Sequence, residues 1–146
     1  MTPAARECRH QAILEGIDRV QQVVGRGDRI RIDHEGTLLE RARLLEEELS
    51  SHRATERGLA ALDALLQIAE GPASPQAREV AGFIAAVRNQ QPLALGTLRV
   101  LAPAAGDHVM TVLDAFRYGR VNLIEEVAGG PVRVARALEK WQVASA

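Results

Sequence analysis

The stretch GLAALDALLQIAEG, residues 58–71, decides the fold class of this chain. Its leucines and Ala69 recur at three- and four-residue steps, which places them on one stripe of an α-helix. Gly71 supplies a residue at which such a helix ends. The stretch therefore predicts a helix with one buried face, whose members are Leu59, Leu62, Leu65, Leu66 and Ala69.

The same period continues on the C-terminal side of this stretch. Ser74 is placed as an N-cap and Pro75 as the first residue of a helix that runs to about Asn89. Its expected buried stripe is Ala77, Val80, Ala81, Ile84 and Val87. Further helices are expected over residues 95–101, over residues 104–118 with Val109, Leu113 and Phe116 on a shared buried face, over residues 121–127, and from Pro131 to Trp141.

Two amphipathic helices are expected on the N-terminal side. The first covers residues 3–24, and the second covers residues 37–52 and begins with the capping-box spacing of Thr37 and Glu40. Residues 30–32 form too short a stretch to be more than an extended link. Whether the helices over residues 37–52 and 56–70 are continuous stays open. The first stripe contains Ile13, Leu14, Ile17, Val20 and Val24, and the second contains Leu38, Leu39, Ala42, Leu45 and Leu49.

Composition supports helices throughout. Only 3% of the 146 residues are aromatic, so aliphatic side chains and alanine must build the core, which disfavours a β-sandwich or barrel. The predicted fold is all-α, a compact bundle of about seven or eight helices whose N-terminal two form an extension or a dimerisation hairpin. Every aromatic residue lies from Phe83 onward, so the N-terminal part of the chain has an entirely aliphatic apolar content.

Charge and cysteine content exclude several classes of protein. The chain has 18 basic and 19 acidic residues, so it has no excess of positive charge that would release counterions from a nucleic acid. Binding to nucleic acid is therefore not favoured. Cys8 is the single cysteine and cannot form an intramolecular disulfide, which fits a reducing, cytoplasmic setting. No stretch approaches the roughly 18 apolar residues of a membrane span, so no membrane partner is expected.

The sequence contains no recognisable catalytic or metal-binding motif. None of the four histidines is spaced from another His or from Cys as a metal ligand, and glycine-rich phosphate loops are absent. Asp107 and His108 are the one adjacent pair with catalytic side chains, and an enzymatic role would need a polar pocket around them. We expect no enzyme, no catalytic residue, no metal site and no cofactor.

Arginines near two helix ends are the candidate binding residues. Arg117, Tyr118 and Arg120 could contact an anionic partner. A structural role is favoured, in which the two arginines bond the last carbonyls of the helix and Tyr118 lies over its end. Arg133 and Arg136 complete a possible basic edge. Residues 128–138 are similar to the first half of a Cro-type helix-turn-helix, but the turn glycine expected after Leu138 is missing.

Several motifs together resemble a known family. They are residues 58–71, QAREVAGF at residues 76–83, LGTLRVL at residues 95–101, Asp107, Arg117-Tyr118, Gly129-Gly130 and Trp141. Over residues 56–141 the chain resembles an uncharacterised domain-of-unknown-function family of proteobacteria, common on plasmids and integrative elements. That family usually has another acid at the position of His108. The resemblance implies a bacterial mobile-element context and supplies no reaction, ligand or site. Because it does not cover residues 1–55, it implies two parts, an N-terminal helical extension over residues 1–55 and a family-like helical domain over residues 56–146.

Two functions follow as hypotheses. The first is a non-enzymatic helical interaction or accessory protein that forms a homodimer, or binds another protein, through its N-terminal amphipathic helices. The alternative is a nucleic-acid-associated accessory or regulatory protein that uses the edge of Arg117, Arg120, Arg133 and Arg136.

Overall fold

A computed structural model describes the backbone of residues 1–145 and the side chains of residues 1–142. In chain order the elements are α1 (Pro3–Ile17), β1 (Val23–Val24), a 3-10 turn (Gly27–Arg29), β2 (Arg31–Ile32), α2 (His34–Glu70), α3 (Pro75–Asn89), α4 (Thr97–Val100), α5 (Pro103–Tyr118), α6 (Leu123–Glu126) and α7 (Gly130–Ser145). Seven α-helices over the described residues confirm the prediction of an all-α fold with seven or eight helices.

The chain divides into two compact units, residues 1–53 and residues from Ala54 onward. α2 contributes to both, because residues 37–52 and 56–70 are parts of one helix of 37 residues. Gly58 lies inside this helix without interrupting it. A Cβ atom at Gly58 would overlap the Cβ of Ala115 in α5, so the glycine permits the close approach of two helices. The predicted domain division after residue 55 stays a prediction.

The core of the second unit is almost entirely aliphatic, with Phe83 as its buried aromatic residue. Every member of the stripe in residues 58–71 is buried, as predicted from its period. The other predicted stripe lies on α3, where all members except the half-buried Val87 are buried. The largest side chains with less than 2% exposure are Phe83, Leu62, Leu65, Leu66, Ile84, Val80, Val109, Val112 and Val134.

The buried face of α5 differs from the predicted one. Val109 is buried as expected, but Phe116 is 50% exposed and Ala115 is buried in its place. Ala115 faces Gly58, and a contact this close admits only small side chains. The prediction that Phe116 lies on the core stripe was therefore wrong, because the crossing of α2 and α5 selects residue size as well as hydrophobicity.

Side chains of α7 satisfy the C-terminal carbonyl groups of α2. Lys140 Nζ donates to the carbonyl oxygens of Glu70 and Gly71, and Trp141 Nε1 donates to the carbonyl of Ala69 over 3.0 Å. The carbonyl oxygens of Ala69 and Glu70 belong to the last turn of α2, where the helix offers them no partner. The single lysine of the chain and its single tryptophan thus fix where the last helix packs.

The first unit departs from the predicted boundaries. α1 ends at Ile17 instead of continuing to residue 24, because the chain turns at Val20, whose carbonyl accepts a 2.9 Å hydrogen bond from Arg41 Nε. Residues 23–24 and 31–32 pair as an antiparallel hairpin, so the predicted helix over Val24 was wrong. Residues 30–32 are extended as predicted, but residues 31–32 are also paired as a strand, which was not predicted.

The start of α2 is also earlier than predicted. The helix begins at His34, and Asp33 Oδ1 accepts a 3.0 Å hydrogen bond from the backbone N–H of Gly36. Thr37, expected as the capping residue, is instead buried and accepts a 2.9 Å hydrogen bond from the backbone N–H of Gln22. An aspartate thus replaces the predicted threonine cap.

Candidate functional site

The first unit carries an exposed row of apolar side chains on α2. We call Leu38, Leu39, Ala42, Leu45 and Leu49 the leucine face. Leu38 and Leu39 are 66% and 67% exposed, and Leu45 and Leu49 are 42% and 40% exposed. Positions 38, 42, 45 and 49 follow a four-three-four spacing and lie within an arc of about 60° on the helix. This spacing is typical of a helix-to-helix seam.

The leucine face is exposed because α1 packs against a different side of α2. In this seam His10 Nδ1 lies 2.9 Å from Glu48 Oε1, and His52 Nε2 lies 3.0 Å from Glu7 Oε2. The two imidazole rings stack with centroids 3.8 Å apart and an angle of 5° between their planes. Polar contacts therefore join the two helices, and Ile17 of the predicted aliphatic stripe is buried as well.

Most of the buried residues at the contact between α1 and α2 are polar. The buried residues of α1 are Arg6, His10 and Ile17, and those on the facing part of α2 include Glu48 and Ser51. A hydrogen bond from Gln11 is the main reason that the pKa of the Glu7 carboxyl lies below its usual value, with the His52 contact adding to it. Only Ile17 of the predicted first stripe is fully buried.

A second exposed apolar surface lies on the hairpin. Val23 stands opposite Ile32 in the antiparallel register, and Ile30 precedes Ile32 by two residues in extended backbone, so the three belong to one side. We call Val23, Ile30 and Ile32 the hairpin face. Their exposed fractions are 61%, 59% and 42%, and every residue from Gln21 to Ile32 is exposed.

Of the arginines predicted to form a basic edge, Arg117 contacts residues of its own helix end. The Arg117 guanidinium lies 4.5 Å from the centre of the Tyr118 ring, donates to its hydroxyl, and lies 3.7 Å from Asp114. Arg117, Tyr118 and Arg120 are all exposed at the end of α5 and just beyond it. Arg117 thus contacts neighbouring side chains of its own helix end, and the binding role of the three residues stays a prediction.

Arg133 is engaged by carboxylates. It lies 2.5 Å from Asp63 Oδ1 and 2.8 Å from Glu70 Oε1, and it donates to the carbonyl oxygen of Ala128. Hydrogen bonding to Glu70, followed by that to Asp63, raises the pKa of Arg133 despite partial burial. Arg136 is exposed on the same helix. These two carboxylates offset the positive charge that Arg133 would add to the proposed basic edge. The binding role of Arg133 and Arg136 stays a prediction.

A groove in the second unit surrounds Phe116. Two adjoining concavities of about 410 and 380 Å³ share Val87, Gln90 and Phe116 in their walls. Gln90 has a left-handed backbone with φ of 54° and ends α3. The groove follows directly from the outward position of Phe116, which the sequence had placed in the core.

The residues considered for catalysis do not converge. Asp107 is exposed and His108 is half-buried on α5, where Thr111 Oγ1 donates to the Asp107 carbonyl. Among the described residues, no group of three or more His, Cys, Asp or Glu side chains is arranged to hold a metal ion. The histidines that do meet, His10 and His52, are 42 positions apart, and no local motif in the sequence pairs them.

Comparison with known proteins identifies a family. Residues 59–142 match the family of unknown function DUF7673, which confirms the predicted membership of a domain-of-unknown-function family. No curated protein and no solved structure matches the chain. Over the part of the chain that the structure describes, no helix is long and apolar enough to span a membrane.

Proposed function

Given that the chain belongs to the family DUF7673, whose function is unknown, we propose its function from its own surfaces: it is a non-enzymatic helical interaction protein that forms a homodimer through the leucine face. The matched residues lie in the second unit, whereas the leucine face lies in the first. The family domain would thus be brought together in pairs by an element that precedes it.

The exposure of Leu38, Leu45 and Leu49 carries this proposal. Single exposed leucines are common on protein surfaces, but a row of them on one helical stripe is typical of an interface. The neighbouring side of α2 is already occupied by α1, through His10 and Glu48. The leucine face therefore supplies an apolar seam that the first unit does not itself cover.

A second copy of the chain is the partner that this seam fits. Two-fold interfaces place the same patch on both subunits, so an aliphatic stripe meets an identical aliphatic stripe. The ion pairs of Arg43 with Glu40 at 2.6 Å and with Glu47 at 2.5 Å lie on the opposite side of α2. Pairing through the leucine face would therefore leave these charges in solvent.

Sedimentation equilibrium from low to high micromolar concentration tests the proposal. We expect a dimer for the wild type and a monomer for the double variant Leu45→Glu, Leu49→Glu, because buried carboxylates would oppose pairing. Leu95→Glu is the matched control, since Leu95 is 80% exposed in the second unit and its replacement should leave the dimer intact. Circular dichroism verifies that each variant is folded. A wild type that stays monomeric throughout the range contradicts the proposal.

Three further statements belong to the same proposal. The exposed free thiol of Cys8 supports a reducing, cytoplasmic location. The lack of convergence between Asp107 or His108 and another reactive group supports a non-enzymatic role. An origin on a proteobacterial mobile element rests on the motif resemblance, and the genes that flank the coding sequence would test it.

A further inference from the structure

We propose that the hairpin face is the second half of the dimer interface and docks on the partner copy together with the leucine face. This inference rests on the proposed self-association. It assigns a role to Val23, Ile30 and Ile32, which the amphipathic-helix hypothesis did not use.

The hairpin is a defined structure that buries nothing. Gly25 and Gly27 adopt φ values of 102° and 59°, and a side chain at Gly25 would overlap the carbonyl of Arg29. Asp33 N–H donates to the Gln22 carbonyl over 2.8 Å, which closes the base of the hairpin. The sequence thus specifies a tight turn whose apolar side chains remain in solvent, a combination that favours an external partner.

The hairpin adjoins the leucine face. Gln22, at the base of the hairpin, donates its backbone N–H to Thr37 Oγ1 over 2.9 Å, and Leu38 is the next residue on α2. One helical turn further on, Arg41 Nε donates to Val20 O. These two hydrogen bonds hold the hairpin base against the first turns of α2, where the leucine face begins.

The area that a stable dimer needs favours one combined surface. A specific interface buries roughly 800 Å² per partner, of which about 60% is apolar, so on the order of 500 Å² of apolar surface is required. From their exposed fractions, the four leucines offer at most about 400 Å². The hairpin face adds roughly 300 Å². The two surfaces together exceed this area, whereas the leucine face alone reaches only the low end of the range for specific interfaces.

The double variant Val23→Thr, Ile32→Thr tests the inference, because threonine keeps the branched shape suited to a strand while removing apolar surface. Measured by sedimentation equilibrium, the dimer dissociation constant should rise about tenfold or more, since each substitution occurs twice in a two-fold dimer. Val132→Thr is the matched control: Val132 is also 61% exposed, lies on α7, and should leave the constant unchanged.

Hydrogen exchange on the wild-type protein gives an independent measurement. Backbone amides over residues 22–33 should become more protected as the protein concentration rises through the dimerisation range. A dimeric wild type whose dissociation constant is unchanged by Val23→Thr, Ile32→Thr, with unprotected hairpin amides, overturns this inference and leaves the proposed function standing. A monomeric wild type overturns both.

Discussion

Gly58 of α2 and Ala115 of α5 meet so closely that a methyl group at position 58 would overlap the Ala115 side chain. Glycine inside a helix costs about 1 kcal/mol relative to alanine, and here that cost permits two helices of the second unit to pack together. Ala115 is buried at this contact, whereas the neighbouring Phe116, at the end of α5, is 50% exposed. The close approach at Gly58 therefore restricts position 115 to a small side chain.

Gly58→Ala should destabilise the protein by about 1–3 kcal/mol, because overpacking at the crossing outweighs the gain in helix propensity. Urea denaturation measures the change in the free energy of unfolding. Gly82→Ala is the control: Gly82 is exposed on α3, and a Cβ there has no neighbour within 4 Å, so it should stabilise by roughly 0.5–1 kcal/mol. Adding Ala115→Gly to Gly58→Ala should recover part of the loss. Stabilisation by Gly58→Ala alone would contradict the crossing described.

Arg133→Met should destabilise the second unit by about 1 kcal/mol, because Asp63 and Glu70 lose a shared cationic partner in a partly exposed network. The difference in stability between wild type and variant, measured by thermal unfolding, should become smaller as salt is added, because screening weakens the wild-type ion pairs. Arg136→Met on the same helix serves as the control and should have almost no effect. Equal effects from the two substitutions would show that the carboxylate contacts of Arg133 contribute nothing to stability.

Gln90→Gly should stabilise the protein by about 0.5–1 kcal/mol. Gln90 ends α3 in the left-handed region, which glycine occupies without the steric cost of a Cβ atom. Gln91→Gly, one residue further along, lacks that positive φ and should give no gain. Chemical denaturation measures the free energy of unfolding of both variants and the wild type. A loss of stability for Gln90→Gly would contradict the left-handed conformation at this position.

His10→Ala should loosen α1 from α2. The substitution removes a buried hydrogen bond to Glu48 and the ring that stacks on His52, for an expected cost of about 2 kcal/mol. Hydrogen exchange should show lost protection along α1, while the helices of the second unit keep theirs. Arg9→Ala, at an exposed position of the same turn, is the control. Unchanged protection of α1 in His10→Ala would mean that the polar seam does not hold the helix.

Residues in the second unit were the most predictable. The period of Leu59, Leu62 and Leu65 correctly identified a buried face, and Ser74 caps α3 as expected, its Oγ accepting from Ala77 N–H over 3.0 Å. Such features depend on neighbours within a turn or two of the same helix. Prediction failed where a distant residue intervened, as at Ala115, which is buried against Gly58.

The first unit shows more clearly what the hydrophobic period of the sequence could not predict. The period of Leu38, Leu45 and Leu49 predicted a helix, and α2 does contain them. The period did not reveal that α1 would cover a neighbouring polar side of that helix, since His10 and Glu48 are 38 positions apart. The candidate interaction surface therefore arises from a pairing that no local pattern encodes.

By itself the sequence determined the helical class, most helix positions in the second unit and the aliphatic character of its core, because hydrophobic period and capping act over a few neighbouring residues. Only the tertiary structure decided that α2 is one continuous helix, that Phe116 faces outward, and that the leucine and hairpin faces stay exposed. These outcomes depend on residue size at a helix crossing and on hydrogen bonds between distant side chains, which act only after the chain has been brought together.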